Sequence, residues 1–438
     1  MVLIIINTVL SIRGFFNNPA IPQEYRRNFI HLYFEIAWFG ILSGSAINFL
    51  NIYAARLGAS GFQIGLLSAM PAVVSLFLSL PSGTWLQKRP VGKTVFWAAV
   101  LTRLGYFLWI PLPWLFGNQG QIWALAVITL AMGVPMCVLS VGFNALFASA
   151  VPAEWRASVV GIRNVLQSLT FIIASLGTGA ILDHLRFPLG YQVVFGIGFI
   201  SAAMSTFHLF FIRPRTQAFT VAVPDLNNGP DLKEKKRRPG LRTTLRLDIW
   251  RSPYRKILLL FLGLHLSQYI AFPLFALYTV NILHLTDANI GLGTAFFYLT
   301  FLLGSTQLSR LEHQVGHHKL TGWGVVGLSI YPIAMALSHN ALHYYLLSIT
   351  GGFAWALVAG AYANYLLERI PEDDRPAHLA WYNIILNAAV LLGSLAGPIL
   401  AGYIGVGVAL FFFGGMRLLA GVAILKWGSA DKPFVSPD

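Results

Sequence analysis

Residues 151–183 read VPAEWRASVVGIRNVLQSLTFIIASLGTGAILD, and residues 370–402 read IPEDDRPAHLAWYNIILNAAVLLGSLAGPILAG. One constant, gapless offset carries Pro152 onto Pro371, Arg156 onto Arg375, Asn164 onto Asn383, and the Ser175-Leu176 pair onto Ser394-Leu395. Each copy is a short charged turn followed by a long apolar run. The chain reads as one half written twice.

The apolar runs explain the composition. Hydrophobic residues make up 56% of the 438 residues and charged residues 11%, far from the balance of a soluble domain. Twelve runs stand out, at 30–54, 65–85, 95–115, 123–148, 159–182, 193–212, 257–280, 290–308, 320–337, 344–367, 379–402 and 406–425. About 20 apolar residues in a helix cross a bilayer. Backbone groups in lipid must pair within the segment, so runs of this length read as helices. The fold class expected is an all-α membrane protein. The runs at 290–308 and 320–337 are the weakest, being short and Gly-rich. The first ten residues are apolar but too short to span, and are expected to be a tail rather than a cleaved signal.

Charge orients the spans. Loops on one face carry Arg26, Arg27, Lys88, Arg89, Lys93, Arg156, Arg310, Lys319, Arg369 and Arg375, whereas the other face carries only Arg56 and Arg186. By the positive-inside rule both termini and the central loop are expected in the cytoplasm, and the chain in the plasma (inner) membrane. The net charge of +14 is absorbed by this orientation, so no nucleic-acid partner is expected; the lipid bilayer is one. The single Cys137 excludes an intramolecular disulfide and a cysteine metal cluster. No metal site and no cofactor are expected.

The duplication extends beyond the opening stretch. Tyr25-Arg26-Arg27 precedes the first span and Tyr254-Arg255-Lys256 the seventh, while Ile64-Gly65-Leu66 is repeated as Ile290-Gly291-Leu292. Both halves start on the same side, which makes them parallel repeats about an axis along the membrane normal. The expected domains are a tail (1–24), a six-helix bundle (25–212), a basic cytoplasmic linker (213–253), a second six-helix bundle (254–427) and a tail (428–438). Within the linker, residues 241–250 suggest a short basic amphipathic helix on the membrane surface.

Six helices, a basic linker and six more, with partial signature loops, resemble the major facilitator superfamily of secondary transporters. The signature loop of that family follows the second helix and contains Gly, an acid and basic residues. Here Gly83, Gln87, Lys88, Arg89 and Lys93 follow it loosely, with Gln87 where the acid is expected. The second half keeps Glu312 and Gly316. The resemblance implies that these loops, with the turn residues Arg156 and Arg375, act as latches between conformations. The competing reading is a basic turn that only fixes topology. The helix-four Arg that proton-coupled members often carry is missing from 123–148, and a Gly-Pro string resembling the helix-five motif of drug antiporters sits instead in the eleventh run, at Gly397-Pro398.

Charge inside a span costs at least about 2.5–3.5 kcal/mol at mid-helix. Glu35 is the one acid clearly inside a run. His265 sits at nearly the same depth in the second half, both about 12–14 Å from their basic anchors. These two, with Arg103 as a partner for Glu35 or an anchor for an anion, are the candidates for proton or cation coupling. The bland alternative is an ion pair at Glu35 and a satisfied core histidine. Arg163, near its helix start, reads as snorkelling to the interface, and Arg417 as facing other helices. In the family, helices one, four, seven and ten line the central cavity. The resemblance therefore points to Trp38, Asn48, Asn51, Asn144, Gln268, Tyr269, Trp355 and Asn364 as substrate contacts, against a simpler role in helix–helix hydrogen bonding worth about 0.6 kcal/mol each.

The function expected is secondary active transport of a small, amphipathic or weakly charged organic solute by alternating access, by a monomer, with a proton or cation as the candidate coupling partner. Lipid or lysolipid translocation is an alternative, as is a non-transporting receptor or scaffold on the same fold. No hydrolase, phosphate-loop or metal spacing is present, so neither an enzyme nor ATP-driven transport is expected.

Overall fold

Proline and glycine set where the helices bend and stop. In the computed structural model, which describes residues 23–86, 89–213, 246–371 and 374–429, twelve long helices follow one another. The first, α1, runs as Gln23–Leu42, passes through a π-helical turn at Ser43–Ile47, and continues as Asn48–Arg56. Then come α2 (Gly61–Leu86), α3 (Val91–Trp109), α4 (Asn118–Ala150), α5 (Ala153–His184) and α6 (Leu189–Phe210). The second half opens with α7, built from Tyr254–Tyr269, Phe272–Leu277 and a π-helical turn at Tyr278–Ile282. It continues with α8 (Asp287–Val315), α9 (His317–Ala336), α10 (Ala341–Leu367), α11 (Arg375–Ile404) and α12 (Val406–Trp427). Both lead helices carry a π-turn, α1 past its midpoint and α7 as its last turn.

The local reasons are legible. Pro111 and Pro113 stop α3 short of the expected 115, leaving a separate turn at Leu112–Leu115. The Thr286 hydroxyl accepts from the Asn289 N–H and so caps α8, which begins earlier and runs longer than the expected 290–308. Gly316, at φ +78°, both ends α8 and starts α9; a side chain there would be strained. Ten of the twelve helices are long and apolar enough to cross a membrane. The two that fall short are α3, which carries Lys93 and Arg103, and α9, which opens on His317-His318-Lys319.

Packing repeats with the sequence. In the first half α1 lies on α5 and α6, α2 on α4, and α3 on α4 and α6. In the second half α7 lies on α11 and α12, α8 on α10, and α9 on α10 and α12. The halves join through α2 on α11 and α5 on α8, which are symmetry mates of each other. The fold is two parallel six-helix repeats.

Residues 1–22 and most of the linker, including 241–245, lie outside the described residues. The rest of the expected surface helix differs from the reading. A 3-10 turn at Leu247–Arg251 docks on the second half instead: Arg246 pairs with Asp374 at 2.8 Å, Trp250 stacks edge-on against Trp381 at 5.5 Å, and Ile249 is buried. Trp250 meets α11, whereas Leu247 stays exposed.

Candidate functional site

Glycine lets the two halves approach at the end away from the termini. Gly65 of α2 lies directly against the backbone carbonyl of Ser394 in α11. Its mate Gly291 of α8 lies against the carbonyl of Ser175 in α5, where a β-carbon would come within 2.6 Å of that oxygen. The duplicated Ile-Gly-Leu thus packs on the duplicated Ser-Leu of the opposite half, twice. The symmetry breaks in detail. The Ser175 hydroxyl donates to the Gly291 carbonyl at 3.1 Å, whereas the buried Ser394 hydroxyl has no partner among the described residues.

The same end is tied by polar contacts. Arg56, at the end of α1, donates to the Leu285 carbonyl at 2.6 Å and pairs with Asp287 at 3.2 Å. The Asp183 carboxylate at the end of α5 accepts from the Ala288 N–H at 3.1 Å, an acid at a helix N-terminus where the dipole favours it. Deeper, Phe171 of α5 stacks on Tyr298 of α8 at 3.7 Å. None of Arg56, Asp183 and Asp287 was expected to matter. The faint signal was that Arg56 is one of only two basic residues in the loops of its face.

Toward the termini lies the buried charge of the first half. Glu35 of α1 is 5% exposed. It pairs with Arg163 of α5 at 3.0 Å and lies 3.9 Å from Arg103 of α3. Ser205 of α6 donates to the same carboxylate at 3.1 Å and accepts from Arg103 at 2.9 Å, while Thr206 also accepts from Arg103. Arg163 does not snorkel. It donates to the Leu32 carbonyl at 2.7 Å and lies over the Phe143 ring at 5.1 Å. Its depth alone suggested the interface; its partner on α1 holds it inside.

The second half places His265 of α7 against the Tyr382 hydroxyl of α11 at 3.0 Å, ringed by Phe261 and Tyr362. The offset that carries Pro152 onto Pro371 also carries Arg163 onto Tyr382. An ion pair in one half therefore stands where a neutral hydrogen bond stands in the other. Arg417 of α12 is 2% exposed and faces helices, donating to the carbonyls of Leu328, Ser267 and Gln268 at 3.3, 3.2 and 3.2 Å. The helix of α7 is interrupted at residues 270–271, ahead of Pro273, and Ser267 and Gln268, whose carbonyls Arg417 takes, lie in the last turn before that break.

The other expected residues scatter. Asn51 donates to Ser68 of α2 at 3.2 Å, and Asn364 points at Glu312 of α8 at 3.4 Å. Asn144, Asn164 and Asn383 are exposed, while Trp38, Gln268, Tyr269 and Trp355 are half-buried. The Asn48 side-chain N–H group is buried with no partner among the described residues, an unmet donor of the kind a ligand or water satisfies. Arg156 caps the end of α4, donating to the carbonyls of Ala148 and Val151 at 2.7 and 3.1 Å. Arg375 opens α11 and is exposed. Glu312 pairs with His317 at 3.2 Å. Gly83 falls in the last turn of α2 and Arg89 lies over the Trp85 ring at 4.2 Å; Gln87 and Lys88 lie outside the described residues.

Comparison with known proteins agrees with this arrangement. A family model described as Major Facilitator Superfamily matches residues 32–286 and 257–437. The quinolone resistance protein NorA of Staphylococcus aureus is 21% identical over 378 residues, covering 85% of this chain and 88% of its own length. The cis,cis-muconate transport protein of Acinetobacter baylyi is 23% identical over 293 residues, covering 63% and 67%. Among solved structures, a bacterial homologue of the iron transporter ferroportin in its inward-facing state aligns with a TM-score of 0.70 at 16% identity, over 92% of this chain and 99% of that one. A D-xylose–proton symporter aligns with a TM-score of 0.69 at 14% identity, over 92% and 98%.

Proposed function

Because this chain belongs to the Major Facilitator Superfamily, a family of transporters, we propose that it moves a small, amphipathic or weakly charged organic solute by alternating access. The observation that carries this reading is the one-sided closure. The hydrogen bonds from Arg56 to Leu285, Ser175 to Gly291 and Ala288 to Asp183 all cross between halves at the end away from the termini. Toward the termini Asn144, Asn164 and Asn383 are exposed inside membrane-spanning helices. An amide facing hydrocarbon loses its hydrogen bonds, so these side chains are read as the wall of a water-filled cleft. With the termini in the cytoplasm, as the basic loops favour, this is an inward-open state. The inward-facing structure named above shares its fold.

The solute's chemistry follows from the accessible side chains of the cleft helices, the exposed Asn144, Asn164 and Asn383 and the half-buried Trp38, Gln268, Tyr269 and Trp355. Amides and aromatic rings without net charge suit a conjugated or ring-bearing solute that is amphipathic or weakly charged. Muconate, a conjugated dicarboxylate, and the ring-bearing quinolones, for which the relatives are named, share the conjugation, and muconate stands at the charged limit of that range. Glu35 is the coupling candidate. Protonating it would release Arg163 and loosen the packing of α1 on α5, the helix that carries the α5–α8 contact between the halves.

The test is flux in proteoliposomes with an imposed pH gradient, using cis,cis-muconate and a fluoroquinolone as probe solutes. The expected result is gradient-driven movement of at least one probe by the intact protein and only passive exchange by Glu35→Gln. Flux that ignores both the gradient and the substitution overturns the coupling. Absence of carrier-dependent flux for either probe overturns the proposed solute class.

A further inference from the structure

A cleft of about 680 Å³ opens on the outer side of the first half, between α2, α3 and α4. Pro81 of α2 and Pro135 of α4 both line it, each inside its helix. The walls are apolar and face outward: Trp97 is 61% exposed, Leu101 57% and Val134 47%. The mouth at the termini end carries Arg89 and Lys93, both exposed. Arg89 is held over the Trp85 ring at 4.2 Å, and neither basic residue meets a carboxylate among the described residues. From Lys93 to Leu101 the helix descends about 12 Å, from headgroup depth into hydrocarbon. The matching corner of the second half is charged differently: Glu312 and Glu368 both approach His317 there, at 3.2 and 3.4 Å.

We propose that this cleft is a binding site for one anionic phospholipid, with an acyl chain along Trp97, Leu101 and Val134 and the headgroup phosphate on Arg89 and Lys93. The occupant is a lipid rather than a soluble anion because the cleft is apolar along its length and opens to the bilayer. It is an anionic lipid because the groups at headgroup depth are cationic. A polar–apolar boundary running along one helix matches the boundary within the lipid. The site lies outside the bundle, away from the proposed solute path, and does not depend on the transport reading.

The test is native mass spectrometry of the purified protein with phosphatidylglycerol and phosphatidylcholine of identical acyl chains. The expected result is one phosphatidylglycerol retained per chain in preference to phosphatidylcholine. Arg89→Gln with Lys93→Gln should weaken retention about thirtyfold, at about tenfold or less per basic residue. These residues are exposed, so the double variant should keep the melting temperature of the parent without lipid. Leu101→Trp, which narrows the cleft without touching the charges, should also lower retention. Glycerophosphoglycerol, the headgroup without chains, should not displace the lipid. Equal retention by the parent and the double variant, equal retention of the two lipids, or displacement by the chainless headgroup each overturns the assignment.

Discussion

Arg163 and Tyr382 occupy the same position in the two copies of one helix, yet Arg163 grips the Glu35 carboxylate at 3.0 Å and Tyr382 bonds the His265 ring at 3.0 Å. The scaffold repeats; the chemistry on it does not. One half holds charge at this depth and the other holds a neutral pair inside an aromatic cluster.

That difference predicts different costs of substitution. Removing one member of a buried ion pair strands the other and costs about 3–5 kcal/mol. Glu35 keeps the Ser205 hydrogen bond and Arg103 at 3.9 Å, so Arg163→Met should lower unfolding stability in detergent by about 3 kcal/mol, the lower end of that range. Glu35→Gln combined with Arg163→Met should be less damaging than the sum of the two singles, by about 2 kcal/mol, as expected for residues in contact. Tyr382→Phe removes a neutral hydrogen bond and should cost about 1 kcal/mol. Equal losses at Arg163 and Tyr382 would show that charge is not what distinguishes the halves.

The closed end should yield to a single branched side chain. Gly65 has no room for a β-carbon against the Ser394 carbonyl, so Gly65→Val must separate α2 from α11. In a background where Cys137 is Ser, Ser394→Cys is a buried reporter, since Ser394 is fully buried here. Its reaction with a membrane-impermeant maleimide should accelerate about tenfold or more with Gly65→Val, an equilibrium shift of roughly 1.4 kcal/mol. Unchanged labelling would mean that the Gly65–Ser394 contact does not hold the end closed.

Arg56 and Asp287 should contribute less to the same closure. Their side chains are 26% and 11% exposed, and partly solvated pairs are worth about 0.2–1 kcal/mol. Arg56→Gln should raise Ser394→Cys labelling about two- to fivefold, well below the effect of Gly65→Val. A larger effect than that of the glycine would invert the order of these two contacts.

The closure was half-visible in the residue string. The repeated Ile-Gly-Leu and Ser-Leu segments announced two equivalent halves, because helix packing needs the same small residues at the same places in both copies. That they pack on each other was not visible, since periodicity describes one helix face and not its neighbour. Glu35 stood out because a carboxylate in an apolar run has few explanations. Arg163 did not, because a cation near a helix start has an easy exit to water. Only the approach of α1 shows that it turns inward. Asn51 and Asn364 were chosen by helix number, and each turned to a neighbouring helix, to Ser68 and Glu312. Arg156 looked like a latch because it sits in a repeated turn, and the turn it serves is the end of α4.

Arg417 offers the sharpest geometric test. Its guanidinium is buried and reaches three carbonyls on two helices, two of them, Ser267 and Gln268, where α7 is interrupted ahead of Pro273. Those carbonyls belong to different residues, so a planar fork serves them where a single ammonium cannot. Arg417→Met should leave buried acceptors unmet and cost about 3–5 kcal/mol in unfolding stability. Arg417→Lys keeps the charge and loses the fork, so it should recover less than half of that loss. If the Arg served only as a positive charge, Lys would restore stability almost fully, and the role of the fork in bracing α7 would be refuted.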